Sequence, residues 1–313
     1  MPFSDGKEFI NPSHSYSYDL DIFGDRSLFQ HLNRTTNFIG KEKLAQTFVS
    51  DFDKNEILDR QKAIVELQEM TDWRQQFYAI GLLNPDSREA VERLKRWYVT
   101  PVERVSSVLR VLSFALPLAF LAAVVGFILT DDSLYYSLIK LTFGLNVGFV
   151  GLYFKKIRTE VATLANLFKT LENYSNLIEL IENQGFSSKK LQILRGYLSM
   201  KNGEKTSAQI LQMSKILGRL SSFENLAGAL IANGSFLYHL HSLFALYRWK
   251  GKYAGAPPQY LDVIAEFEAL NSLANFGFNN PEFTFPIFSD KKILTARQIG
   301  HPLLTRKSAF API

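Results

Sequence analysis

At 313 residues, with 47% hydrophobic and 21% charged side chains, the chain has the composition of a folded protein and a length for about two domains. Cysteine is absent, which excludes disulfide frameworks, thiolate metal sites and cysteine nucleophiles. The five histidines (His14, His31, His239, His241 and His301) form no His-x-x-x-His or His-Glu-x-x-His pair, so a protein-built transition-metal site is not expected. The net charge of +5 is unevenly spread: residues 1–110 hold 15 basic and 17 acidic side chains, residues 155–219 hold 11 and 5. Such a basic excess suits phosphate polyanions, nucleic acid or anionic lipid, the plain alternative being a solvated helical face.

Residues 1–18 show no sustained period and read as a loop or docked arm, with no signal-peptide pattern. Ser27 to Asn33 predicts a short turn and helix, and Gly40 opens another. Asp53-Lys54-Asn55-Glu56 has the capping-box spacing, with an acceptor at the N-cap and Glu three residues on, and predicts a helix to about Met70. Further helices are expected from Asp72 and, after the Asn84-Pro85-Asp86-Ser87 break, through Trp97. Asp19 and Asp21 read as turn or cap residues.

Val111 to Thr130 contains no charge and is long enough to cross about 30 Å of hydrocarbon. Asp131-Asp132 ends it, and Ser133 to Phe154 supplies a second apolar stretch interrupted only by Lys140. Arg104 and Arg110 precede this pair, while Lys155, Lys156 and Arg158 follow it, so the positive-inside rule places both flanks in the cytoplasm at the inner membrane. Gly144-x-x-x-Gly148 offers a small-residue face for close helix contact. The alternative is a helical hairpin buried in a soluble core.

Beyond the hairpin, Val161, Leu164, Phe168, Leu171 and Ile178 predict one long amphipathic helix ending near Gly185. Helices from Ser188 to about Ser199 and from Thr206 past Leu220 follow. Leu226 to Tyr247 reads as a core helix, because Asn233, His239 and His241 are costly in lipid, and the two histidines read as packing or hydrogen-bonding residues. A helix from Gln259 to Phe278 comes next, and β character is expected in Glu282-Phe283-Thr284-Phe285 and Ile293-Leu294-Thr295.

Three segments resemble the MutS family. Asp19-Leu20-Asp21-Ile22-Phe23-Gly24, with Ser27-Leu28-Phe29-Gln30-His31-Leu32-Asn33-Arg34-Thr35-Thr36 and Gly40, is similar to the family's core-domain signature, a Leu-Phe-x-x-Leu-Asn-x-Thr run leading into a Gly-headed helix. Arg60-Gln61-Lys62-Ala63-Ile64-Val65-Glu66-Leu67 fits the family's next helix. Glu268 to Phe276 with Pro281 resembles the returning lever helix, and Gly300-His301-Pro302-Leu303-Leu304 resembles the Gly-Arg-His-Pro segment that opens the ATPase domain. The mismatch-reading and connector domains have no room before Asp19, so the likeness is closer to membrane-associated MutS-related ATPases.

The resemblance implies a mainly α fold: a MutS-like helical core and lever domain with an inserted transmembrane helical hairpin and a few C-terminal β residues. Its parts would be an arm (1–18), a first core section (19–110), the hairpin (111–154), lever and core helices (155–280) and the start of an ATPase domain (281–313). ATP and magnesium are implied for the full-length protein, with no cofactor expected within this chain, as is a homodimer formed through the ATPase domain. In the family a Phe-x-x-Asn strand precedes the P-loop with its aromatic near the adenine. Ser308 to Ile313 matches it at Phe310 and carries Ile313 at the Asn position, the alternative being a strand-core phenylalanine.

No Gly-x-x-x-x-Gly-Lys-Ser/Thr, Gly-x-Ser-x-Gly or Ser/His/Asp set occurs, and no pair among Asp19, Asp21, Glu66 and Glu268 is joined by sequence alone. No catalytic site is expected in this chain, and the full-length protein is expected to be an ATPase. Lys189, Lys190, Arg195, Lys201 and Lys205 are candidate contacts to the phosphates of double-stranded DNA, giving salt-sensitive binding without base preference. The functional expectation is a non-catalytic region that couples ATP binding in a following domain to DNA, mismatched or otherwise, or to membrane-proximal partners. The alternative is a membrane-tethered helical scaffold that binds neither DNA nor nucleotide.

Overall fold

The computed structural model describes residues 3–102, 105–164, 167–199, 203–222, 225–254, 258–289, 293, 295–296 and 300–303. Among them are thirteen α-helices and no β-strand, and the chain divides into two compact units.

The first unit comprises residues 1–87, 177–203 and 259–313. It contains α1 (Leu28–Leu32), α2 (Phe38–Val49), α3 (Lys54–Glu69), α4 (Thr71–Leu83), the end of α8 (Leu167–Asn183), α9 (Lys189–Gly196) and α13 (Gln259–Asn279). Capping defines three of the starts: the Ser27, Asn37 and Asp53 side chains accept the backbone N–H groups of Gln30, Gly40 and Glu56, so the expected Asp53 cap is present. Helix α13 is buried on nearly every side and packs against α2 and α3. Phe77, Trp73, Phe186 and Phe267 form the aromatic centre beside it, each contributing about 1.5–3 kcal/mol of burial. The N-terminal arm is docked. Phe9 and Tyr16 pack on the cluster of Ile22, Phe23, Phe29 and Leu44, and the Tyr16 hydroxyl donates to the Phe48 carbonyl at 2.9 Å.

The second unit comprises residues 88–176 and 204–258. It contains α5 (Arg88–Val99), α6 (Ser107–Thr130), α7 (Ser133–Thr163), the start of α8, α10 (Thr206–Ser221), α11 (Leu226–Phe236) and α12 (Tyr238–Tyr253). Its core is built on Trp97, Tyr98 and Trp249, with Trp97 Nε1 donating to Glu160 at 2.9 Å and Trp249 Nε1 to the Gln209 carbonyl at 3.0 Å. Helices α6 and α7 form a hairpin across Asp131-Asp132, where Asp131 caps α6 in the left-handed conformation and Asp132 caps α7. The Phe120–Phe143 and Phe127–Tyr136 ring pairs and the contact of Gly126 with Tyr135 join the two. Both helices, of 24 and 31 residues, are long and apolar enough to cross a bilayer, and only 11% of the apolar window of each is buried.

Four expectations are corrected. The long helix expected from Val161 is two, because α7 continues to Thr163 and α8 begins at Leu167. The Leu226 to Tyr247 stretch is also two helices, since Leu237 adopts φ 51° and turns the chain, and Leu226, Leu230, Ile231 and Phe236 of α11 are exposed rather than buried in a core. A Cβ at Gly144 or Gly148 would meet nothing within 4 Å, so that face makes no close helix contact among the described residues. Residues 282–285 form no strand: Glu282 lies in a turn, the Phe283 N–H donates to the Asn280 carbonyl at 3.1 Å and its ring packs on Phe276 of α13; of the second expected strand Ile293 and Thr295 belong to no strand among the described residues, and Leu294 lies outside them.

Candidate functional site

Helix α13 carries two carboxylates, Glu266 and Glu268, inside an otherwise apolar stretch. Two residues along a helix corresponds to about 200° of rotation, so the pair serves opposite neighbours.

On one side, Glu268 meets the entrance of α2. Its Oε2 accepts the Thr36 backbone N–H at 3.0 Å, and its Oε1 accepts the Thr36 hydroxyl and Asn37 Nδ2, the latter at 2.8 Å. Asn37 Oδ1 in turn caps α2 by accepting the Gly40 N–H at 2.8 Å. A Cβ on Gly40 would stand 2.4 Å from Glu268 Cβ, so glycine is what allows α2 and α13 to approach. The Arg34 N–H donates to Ser272 Oγ at 3.2 Å, and the His31 ring lies 5.9 Å from the Phe276 ring. The Glu268 carboxyl is 2% exposed. Burial, reinforced by Asp86, raises its pKa from 4.5 to about 7 against the opposing Thr36 hydrogen bonds.

On the other side, Glu266 anchors a charge cluster. Arg60 Nη2 lies 2.5 Å and Lys43 Nζ 3.2 Å from its oxygens. Arg60 Nε also pairs with Glu56 at 2.8 Å, and the guanidinium lies over the Phe52 ring. Lys190 reaches Glu56 at 2.6 Å and Glu266 at 3.6 Å. A cavity of about 440 Å³ opens beside these groups, with Tyr197 and Asp262 on its walls. Three cations face three carboxylates there, so the cluster compensates its own charge and clamps α2, α3 and α9 to α13. Glu66 adds to the clamp by accepting the N–H groups of Ser187 and Ser188 at the start of α9, each at 2.6 Å.

The candidate phosphate contacts are divided between the two units. Lys189, Lys190 and Arg195 lie on α9 in the first unit, whereas Lys205 precedes α10 in the second. Lys189 pairs with Asp59 at 3.2 Å while remaining 71% exposed. Lys190 belongs to the Glu266 cluster, and Arg195 donates to the Glu182 carbonyl at 2.9 and 3.1 Å. Lys201 and Phe310 lie outside the described residues. Reading by sequence missed the partnership of Glu266, Arg60 and Lys43, although two acids in an apolar helix were a usable signal. No group of three His, Cys, Asp or Glu side chains able to hold a metal occurs among the described residues.

His239 and His241 are hydrogen-bonding residues within the second unit. His239 sits between Asn233 Oδ1 and Ser222 Oγ, each at 3.1 Å, and burial lowers its pKa from 6.5 to about 4. His241 Nε2 donates to the Ser113 carbonyl at 2.9 Å.

The chain matches no family model, no curated protein and no solved structure. The chemistry available to the α2–α13 junction is therefore read from its own groups: one protonatable buried carboxyl that accepts the Thr36 hydroxyl, and a self-compensated ion cluster.

Proposed function

We propose that this chain is the non-catalytic core and lever frame of a MutS-related ATPase, anchored to a membrane by the α6–α7 hairpin. In this reading, ATP binding in a domain following residue 280 is coupled through packed helices to DNA or to membrane-proximal partners. The observation that carries it is the Glu268 junction. The two stretches that resemble the MutS family, Ser27 to Gly40 and Glu268 to Phe276, lie more than 200 residues apart in sequence and are joined by Glu268 to Thr36 and Asn37, by Ser272 to Arg34, and by Phe276 to His31. Stiff helices cross-linked in this way carry a displacement from one end to the other without dissipating it in side-chain rearrangement.

The membrane part rests on the exposed apolar faces of α6 and α7. Leu118, Leu121, Val125, Ile128, Leu141 and Leu152 are all exposed, an arrangement costly in water and ordinary in lipid. Cations at both polar ends favour a cytoplasmic position for both flanks.

The decisive experiment labels the natural gene product in its native membranes with a photoreactive ATP analogue. A nucleotide-labelled product that contains this chain and stays in the pellet after carbonate washing supports the reading. A gene product without nucleotide labelling overturns it and leaves the second reading, a membrane-tethered helical scaffold. That alternative is favoured by one observation: the α9 cations are already engaged, Lys190 by Glu56 and Glu266, Arg195 by the Glu182 carbonyl and Lys189 by Asp59.

A further inference from the structure

At the polar end of the hairpin, α12 and α6 face each other across a cavity of about 730 Å³, a volume typical of sites for small organic ligands. His241, Phe244, Arg248 and Gly251 recur three or four residues apart and line it from one side of α12, while Arg110 and Phe114, four apart, line it from α6. The two helices are fastened there by the His241 to Ser113 bond and by the Phe114 and His241 rings, 4.9 Å apart.

The electrostatics are one-sided. Arg110 and Arg248 are both exposed, neither forms an ion pair with a described residue, and no described lining residue is acidic. Two guanidinium groups on one cavity repel each other unless an anion lies between them, and a guanidinium pairs with phosphate through two parallel N–H bonds. Most of the remaining lining is aromatic or aliphatic, with Phe114 63% exposed and Phe244 buried, and His241 and Tyr247 add polar atoms. The order along α6 is informative. Arg110 directly precedes the uncharged run from Val111, and Phe114 stands one turn inside it, so the cationic part meets the headgroup level and the aromatic part the first carbons of the acyl chains.

We propose that this cavity is a binding site for an anionic phospholipid, with Arg110 and Arg248 holding the headgroup phosphate and Phe114 contacting the acyl chain. The site rests on the membrane reading of the hairpin, and it gives the anchor a preference for lipid charge.

The test is native mass spectrometry of the full chain after reconstitution into vesicles of phosphatidylcholine and phosphatidylglycerol and gentle detergent release. The expected result is one retained phosphatidylglycerol per chain, not displaced by millimolar inorganic phosphate, with retention weakened roughly thirtyfold in Arg110→Gln/Arg248→Gln. Both side chains are exposed and neither is ion-paired with a described residue, so helix content by circular dichroism should not change. Equal retention of phosphatidylcholine, unchanged retention in the double variant, or displacement by inorganic phosphate overturns the proposal, the last by indicating a site for free anions. A chain that never floats with the vesicles fails the membrane reading itself, whereas one that floats without lipid preference fails only this proposal.

Discussion

His241 occupies the carbonyl oxygen that Pro117 leaves without a helical donor. Proline has no N–H, so the Ser113 carbonyl four residues earlier in α6 lacks its helical partner, and His241 Nε2 of α12 occupies that position at 2.9 Å. Because a carbonyl can only accept, the contact assigns the proton to Nε2, and burial holds the His241 pKa below its ordinary value. His241→Phe should cost about 1–3 kcal/mol by orphaning the Ser113 carbonyl. In Pro117→Ala the helix supplies its own N–H, so the same histidine change should cost markedly less. A double-mutant cycle of thermal unfolding in detergent measures the coupling, and additive losses would contradict this account.

The two units should respond to pH in opposite directions. For Glu268, both states are protonated below 4.5; between 4.5 and about 7 the unfolded chain loses its proton first, so the first unit loses stability as pH rises and levels off above about 7. The full effect is on the order of 3 kcal/mol. For His239, both states are neutral above 6.5; as pH falls from 6.5 to about 4 the unfolded chain gains its proton first, and the second unit loses stability on acidification. Tryptophan fluorescence separates them, because Trp73 lies in the first unit and Trp97 and Trp249 in the second. Glu268→Gln should abolish the first dependence and leave the second.

Glycine substitutions should sort by neighbour rather than by helix position. Gly40→Ala forces α2 away from Glu268 and should destabilise by about 1–3 kcal/mol. Gly144→Ala meets open space and replaces a flexible helix residue, so it should be neutral or slightly stabilising. Chemical denaturation of the two variants side by side checks the contrast. Equal effects would mean that the α2–α13 approach is not what Gly40 serves.

Adjacent lysines on α9 should behave differently. Lys190→Glu places a further carboxylate beside Glu56 and Glu266 and should lower stability by several kcal/mol whatever the ligand. Lys189→Glu, at an exposed position, should leave stability nearly unchanged while weakening duplex DNA binding and reducing its salt slope by about 1. Titration of labelled duplex at several salt concentrations reads this directly, and an unaltered slope removes Lys189 from the DNA-contact proposal.

Local chemistry in the sequence determined much of the helical organisation. The Asp53 cap, the punctuation by Asn84-Pro85 and the uncharged run from Val111 each encode their element within a few residues, because capping, backbone restriction and apolar length act over one or two turns. What lay beyond that reach was pairing. Nothing near Glu268 specifies Thr36, and nothing near Ser113 specifies His241, since each partner arrives from another part of the chain. The break at Leu237 and the exposed face of α11 likewise escaped a periodicity argument, which registers apolar residues without saying what covers them. Only the tertiary structure decided which buried charges are compensated, as at Arg60 and Glu266, and which cations have no ion-pair partner among the described residues, as at Arg110 and Arg248. Electrostatic partners are chosen by distance in space, and a linear sequence does not contain that distance.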